Sequence, residues 1–374
     1  MQKITWTQAA VWRLRRHYLH ERAPAGSLLV VASRLCGLHA QLISSAELSA
    51  WARIEDLDRQ AVQRSLWEDR TLVKTWAMRG TLHLLPSSEL PLWHAALATS
   101  RRFLKPAVWL KYFGITLDDL DQITEAIGVA LEGRLLTREE LARAVGSTNI
   151  AESSWGTLLR PAAFAGLLCF GPSLGQRVQF TRPDTWLATS RSPLGSPIDT
   201  PTATAEITRR FLAAYAPATP HDLARWFGGS GSITTARQWL AGLGDEVVPV
   251  DLEGRQAWML TTDAGELPNL PKERSVRLLP GFDQYVVAAS HHAAHLLPGD
   301  LRSRVYRPQG WISPVLLVNG RMDGVWRHEI KGSRIEVVIE PFLKTPAWVR
   351  RSAEREAERL ASFLGGTISI TWKS

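Results

Sequence analysis

The chain has 374 residues, with 44 Lys+Arg against 36 Asp+Glu, a formal charge of +8 and 45% hydrophobic side chains. At roughly 100–200 residues per domain this length predicts two to four modules, each able to bury a core without staples. The two cysteines, Cys36 and Cys169, exclude a disulfide framework and a cysteine-built zinc site and point to a reducing cytosol. No apolar run reaches the roughly 20 residues that span a bilayer, and the N-terminus lacks the apolar stretch of a secretory signal.

Apolar periodicity predicts helices over residues 6–19, 28–38, 46–54 and 59–67, then an extended stretch, 71–85, without a clear turn. Helices over 117–131, 137–145 and 155–166 follow, with a hairpin of 168–170 and 177–180 around Gly171-Pro172-Ser173-Leu174-Gly175. A third set reads 206–215, 220–227 and 234–243, then strands 247–250 and 256–260 around Asp251-Leu252-Glu253-Gly254. In each set one helix opens with the same chemistry: Ser44 to Glu47, Thr137 to Glu140, Thr219 to Asp222. A hydroxyl caps the helix start while an acid three residues on reaches back, and Pro220 suits a first helical position. Helix-turn-helix with a hairpin is the winged-helix plan, so three tandem modules at 1–115, 116–195 and 196–270 are the simplest organisation.

Past the Pro-containing linker 267–273 the pattern becomes strand-like: 276–279, 285–289, 312–318, 325–327, 335–339 and 368–372. Asn319-Gly320 is a strong hairpin turn, and one helix, 347–363, interrupts the strands. A β-rich C-terminal module over 271–374, a small antiparallel sheet or partial barrel, is expected. The fold class is α+β.

The cationic excess is almost all arginine, whose planar fork matches phosphate and base edges. Genomic base composition produces the same bias. A basic winged-helix array nevertheless points to duplex DNA, whether the protein is an enzyme or a non-catalytic transcriptional regulator. Regulators of this plan usually dimerise, and with no heptad or dimer helix in view a monomer is expected.

The segment Leu35-Cys36-Gly37-Leu38-His39-Ala40-Gln41-Leu42 carries the most specific chemistry. Gly37 ends one helix and the cap at Ser44 begins the next, leaving His39 and Gln41 on one side of an extended loop. An imidazole and a carboxamide so placed can hold one water between them; equally, both can tie down the turn by hydrogen bonding to backbone.

This run, with Ser44-Ser45-Ala46-Glu47-Leu48 and Trp76-Ala77-Met78-Arg79-Gly80-Thr81-Leu82-His83-Leu84, closely resembles the AlkZ-like winged-helix DNA glycosylases of the azinomycin-resistance type. Leu279-Pro280-Gly281-Phe282-Asp283-Gln284-Tyr285 and the Asn319-Gly320-Arg321 hairpin extend the resemblance over nearly the whole chain. The resemblance implies a Gln-x-Gln catalytic element. Gln41 matches its second position, whereas His39 stands at the first, as in a subset associated with resistance to bulky intercalating guanine alkylators. The implied activity is hydrolysis of N-glycosidic bonds at bulky N7-alkylguanine, interstrand crosslinks among the candidates, in repair and self-resistance to a genotoxic natural product.

Such chemistry suits modest residues. A guanine alkylated at N7 is cationic and leaves without an acid, so the protein supplies a positioned water and support for the oxocarbenium-like sugar. An imidazole, titrating ordinarily near about 6.5, has a neutral form that can orient the water or take its proton. No lysine neighbours the loop in sequence, the closest being Lys74, so hydrolysis without a Schiff-base lyase step is expected. No metal or other cofactor is called for.

Arg34, Arg70, Lys74 and Arg79 flank the motif and first wing as candidate DNA contacts, and Arg102, with Arg101 and Lys105, and Arg302, Arg304 and Arg307 of the C-terminal module are candidate backbone-tracking charges, or else solvated surface groups. Asp283 is a candidate accessory carboxylate, or else a residue capping a turn. His291, His292 and His295 resemble a metal cluster but lack a Cys or acid at ligand spacing.

Overall fold

The computed structural model describes residues 1–99, 111–152, 154–189, 194–228, 232–267 and 274–373. The described residues form an α+β fold of helices and small sheets. They group into two compact units. One comprises residues 1–61, 209–223 and 240–374, the other residues 62–208 and 224–239.

In the first unit, helix Trp6–Arg16 opens with a capping box between Thr5 and Gln8. Helix Leu28–Arg34 stops four residues short of the expected end, because Cys36 (φ +60°) and Gly37 (φ +98°) reverse the chain. The Ser44 cap is not formed. Helix Ile43–Trp51 begins three residues before the expected 46, with extended Leu42 rather than Ser44 at its cap position and no side-chain bond there, so Ser44 and Glu47 lie inside the helix. The Thr219–Asp222 box forms as expected, with the Asp222 amide donating to Thr219 Oγ1 and the Thr219 amide donating to the carboxylate. Strands Val247–Leu252 and Arg255–Leu260 pair across Glu253 (φ +46°) and Gly254 (φ +86°). Strand Gln2–Ile4, which the sequence pattern does not announce, adds to them in parallel.

The C-terminal sheet orders its strands as Val276–Leu279, Val315–Val318, Arg321–Lys331, Arg334–Pro341 and Thr367–Trp372. The first three junctions are antiparallel, and Asn319 (φ +51°) and Gly320 (φ +82°) make the tight turn the dipeptide announces. The last pair is parallel, correcting the all-antiparallel expectation. Helix Ala347–Leu364 is the crossover that a parallel pair requires, and Gly365 (φ +75°) caps it. Its buried Val349, Ala353, Ala357 and Leu360 recur at helical spacing and pack with Trp326, Val337 and Ile339 from the sheet. Trp51 and Leu14 from the N-terminal helices join the same core. A second correction concerns 285–289: Gln284–Ala288 is helical, because the Asp283 side chain accepts from the Tyr285 amide and nucleates a turn.

In the second unit the extended stretch resolves into strands Leu72–Trp76 and Leu82–Pro86, turned by left-handed Arg79 (φ +59°) and Gly80 (φ +65°). The expected extended stretch is thus a hairpin with a tight turn of its own. Helix Leu117–Leu131 follows, then Arg138–Val145 with the expected Thr137–Glu140 box. The predicted helix 155–166 is broken into a 3-10 segment and the short helix Arg160–Phe164. Gly156 (φ +65°) and Pro161 interrupt it, and a side chain at 156 would fall 2.3 Å from the Trp76 ring. Strands Cys169–Leu174 and Arg177–Thr181 complete the second hairpin. No helix among the described residues is long and apolar enough to cross a membrane.

Candidate active site

The loop bearing His39 is built by backbone reversal. The Gly37 amide donates back to Ala32 O at 2.7 Å and the Cys36 amide to Ser33 O at 3.0 Å, closing the end of helix Leu28–Arg34. A left-handed cysteine costs conformational energy that only a well-tied neighbourhood sustains. Two ties are present: Gln284 Nε2 donates to Gly37 O at 2.8 Å and Tyr215 Oη donates to Leu35 O at 3.0 Å. The chain then extends through Leu38–His39.

His39 is 5% exposed. Its ring stacks on Phe282, with centroids 5.3 Å apart and planes within 5° of parallel. Phe282 itself is left-handed (φ +62°), a strained conformation for an aromatic residue, and its ring in turn meets Trp311 at 5.3 Å. Trp311 is 47% exposed, lifted by a turn in which Gln309 and Gly310 both have positive φ. A row of rings thus runs from surface to imidazole, fixing the plane in which His39 can offer a nitrogen.

Gln41 is half-buried, and its carboxamide makes no hydrogen bond to any described residue. The turn is held instead by Gln284 and Tyr215, so tying it down is not Gln41's role. A donor and an acceptor therefore stand open to water two residues beyond His39.

Asp283 is fully buried, and Arg53 grips both its oxygens at 2.6 and 2.7 Å. Ser49 Oγ donates to the same carboxylate at 2.9 Å. With the Tyr285 cap included, every oxygen of Asp283 is engaged in holding the segment that carries Phe282 and Gln284. The structure supports the capping alternative over the accessory carboxylate.

The proposed DNA contacts occupy varied settings. Arg34, half-buried at its helix end, helps hold the Asp263 carboxyl down against burial that pushes it up. Arg70 donates to Trp186 O and Thr189 Oγ1 and lies 3.8 Å from the Trp186 ring. Arg79 donates to Trp226 O at 2.7 Å. Lys74 lies 5.0 Å from the Phe170 ring, where burial lowers its pKa. Arg70 and Arg79 thus carry structural bonds, while Arg101, Arg102 and Lys105 lie outside the described residues. His292 pairs with Asp222 at 2.7 Å; burial raises that carboxyl, but the imidazole and Thr219 outweigh it and bring it well below the ordinary range. His295 stacks on Trp6 at 4.3 Å. Among the described residues no group of three or more His, Cys, Asp or Glu is placed to hold a metal.

Phe282, Gln284 and Trp311 are site-building residues that the sequence does not flag as such. The first two sit inside the Leu279–Tyr285 motif, and nothing local marks Trp311.

Residues 32–363 match the protein family described as DNA glycosylase AlkZ-like. The chain is 38% identical over 371 residues, 97% of each protein, to the interstrand DNA cross-link repair glycosylase of Streptomyces sahachiroi. It superposes on the solved structure of the Streptomyces sahachiroi DNA glycosylase AlkZ with a TM-score of 0.88 over the full length of both chains, at 36% identity.

Proposed function

The chain belongs to the AlkZ-like DNA glycosylase family, and from that premise we propose that it hydrolyses the N-glycosidic bond of bulky N7-alkylguanine in duplex DNA. The observation that carries the reading is a half-buried Gln41 carboxamide with no described hydrogen-bond partner, two residues beyond a His39 ring stacked on Phe282, on a loop whose backbone is tied by other residues.

An N7-alkylated guanine is cationic, so its departure needs no acid. His39 orients the attacking water and takes its proton as the bond forms to the anomeric carbon. The Gln41 carbonyl holds the water or the electron-poor sugar face. Asp283 acts only through the segment it anchors. No metal or other cofactor enters this scheme. The relative's action in interstrand cross-link repair extends the candidate lesions to crosslinks, and an open cleft suits such a lesion better than a tight flipped-base pocket. The helices and hairpins are read as three winged-helix modules, 1–115, 116–195 and 196–270, with a C-terminal module at 271–374, acting as a cytosolic monomer in repair and self-resistance.

Incubating the protein with duplex bearing a single bulky N7-alkylguanine, followed by alkaline cleavage, tests the reading. Strand breaks at the lesion are expected. Sequence-specific binding without breaks would overturn it in favour of a regulator.

A further inference from the structure

Along strand Arg321–Lys331, Met322, Gly324 and Trp326 point inward, while Val325 and Arg327 face out. Directly across, Glu340 and Val338 of strand Arg334–Pro341 present the same outer face. Ser303, Arg304, Arg307 and Pro314 rise beside this face, and the walls enclose a cavity of about 360 Å³. Three guanidinium groups and one carboxylate line it. Glu340 is bound to Arg304 at 2.6 Å, so its charge is already matched. Arg307 and Arg327 have no carboxylate partner among the described residues. The pocket therefore carries a net charge of two positive units with no anion of the protein to satisfy it.

From this we infer a phosphate-binding pocket, formed by Arg307 and Arg327 with Arg304 in support, that takes a phosphodiester of the DNA backbone. Planar forks on two sides of a recess match tetrahedral phosphate oxygens. Position supports the same ligand. The Arg307 amide donates to Trp311 O at 2.8 Å, Trp311 packs on Phe282, and Phe282 stacks on His39. A phosphate held here anchors the duplex one short turn from the catalytic loop. The inference rests on the DNA-acting reading above but does not require base release.

The test uses the full chain and an undamaged labelled duplex, with affinity measured by anisotropy between about 50 and 200 mM salt. The double variant Arg307→Gln/Arg327→Gln should lower the slope of log affinity against log salt by about 0.9, the share of one phosphate, and each single variant by part of that. Arg327→Lys, which keeps the charge, should retain the slope. The loss should be equal on lesion-bearing and plain duplex. Arg355→Gln, on the exposed face of helix Ala347–Leu364, removes a charge elsewhere and should leave the slope unchanged. An unchanged slope in the double variant overturns the assignment, as does an equal fall in Arg355→Gln, which would reflect net charge alone. Calorimetric titration with inorganic phosphate separates the remaining source: saturable phosphate binding lost in the double variant, with the DNA slope intact, would make this a free-anion site and also overturn it. If the protein releases no base yet the slopes fall as expected, the catalytic reading fails and this pocket stands.

Discussion

The imidazole of His39 and the ring of Phe282 lie face to face, 5.3 Å between centroids and 5° from parallel. Phe282 occupies a left-handed backbone conformation to achieve this, held by the Asp283 cap one residue on. Removing the ring in Phe282→Leu frees the imidazole to rotate, and a small misplacement of a catalytic group costs about 10- to 100-fold in rate. Single-turnover base release should fall by that amount with substrate affinity little changed, and Phe282→Tyr should keep most of the rate.

The Arg53–Asp283 pair is a second point of attack. Both side chains are wholly buried, so deleting one strands the other's charge, at a cost of about 3–5 kcal/mol. Asp283→Leu should show that loss in urea unfolding, and the double variant Arg53→Met/Asp283→Leu should recover much of it. Under conditions where Asp283→Asn remains folded, it should keep base release within a few-fold of the native rate, because the carboxylate is structural. A loss as deep as that of a catalytic residue would return Asp283 to the chemistry.

Acid should destabilise the protein through its buried histidines. Burial lowers the His94 pKa to about 4, and burial, with the charges of Arg53 and Arg13, drives that of His17 well below its ordinary value. Above the unfolded value of about 6.5 neither state binds these protons. Below it the unfolded chain takes up protons that the folded chain refuses, and stability falls by up to about 1.4 kcal/mol per pH unit for each residue. For His94 the loss levels off near pH 4. Urea midpoints at pH 7, 6 and 5 should fall less steeply in His94→Gln than in the native chain. Parallel curves would show that His94 titrates normally.

Much of this arrangement is legible in the residue order. The Thr137–Glu140 and Thr219–Asp222 boxes, the Asn319-Gly320 turn and the helix ending near Gly37 are local, and each declares itself within a few residues. Of the errors, two turn on local caps that the pattern misplaces and one on a distant residue. Leu42 caps its helix in place of Ser44, Trp76 demands a glycine at 156, and the Asp283 cap turns an apolar strand-like run into helix. The site divides in the same way. His39 and Gln41 lie two residues apart and could be singled out, whereas the stack of Phe282 and Trp311 joins segments more than two hundred residues away, beyond any periodicity.

Gln41→Ala bears most directly on the central claim. The side chain has no described hydrogen-bond partner and is half exposed, so its loss should leave stability within about 0.5 kcal/mol. Release of free alkylguanine from a lesion-bearing duplex, followed by mass spectrometry under single-turnover conditions, should slow by about a hundredfold or more. Release at the native rate by a properly folded Gln41→Ala protein would contradict the account.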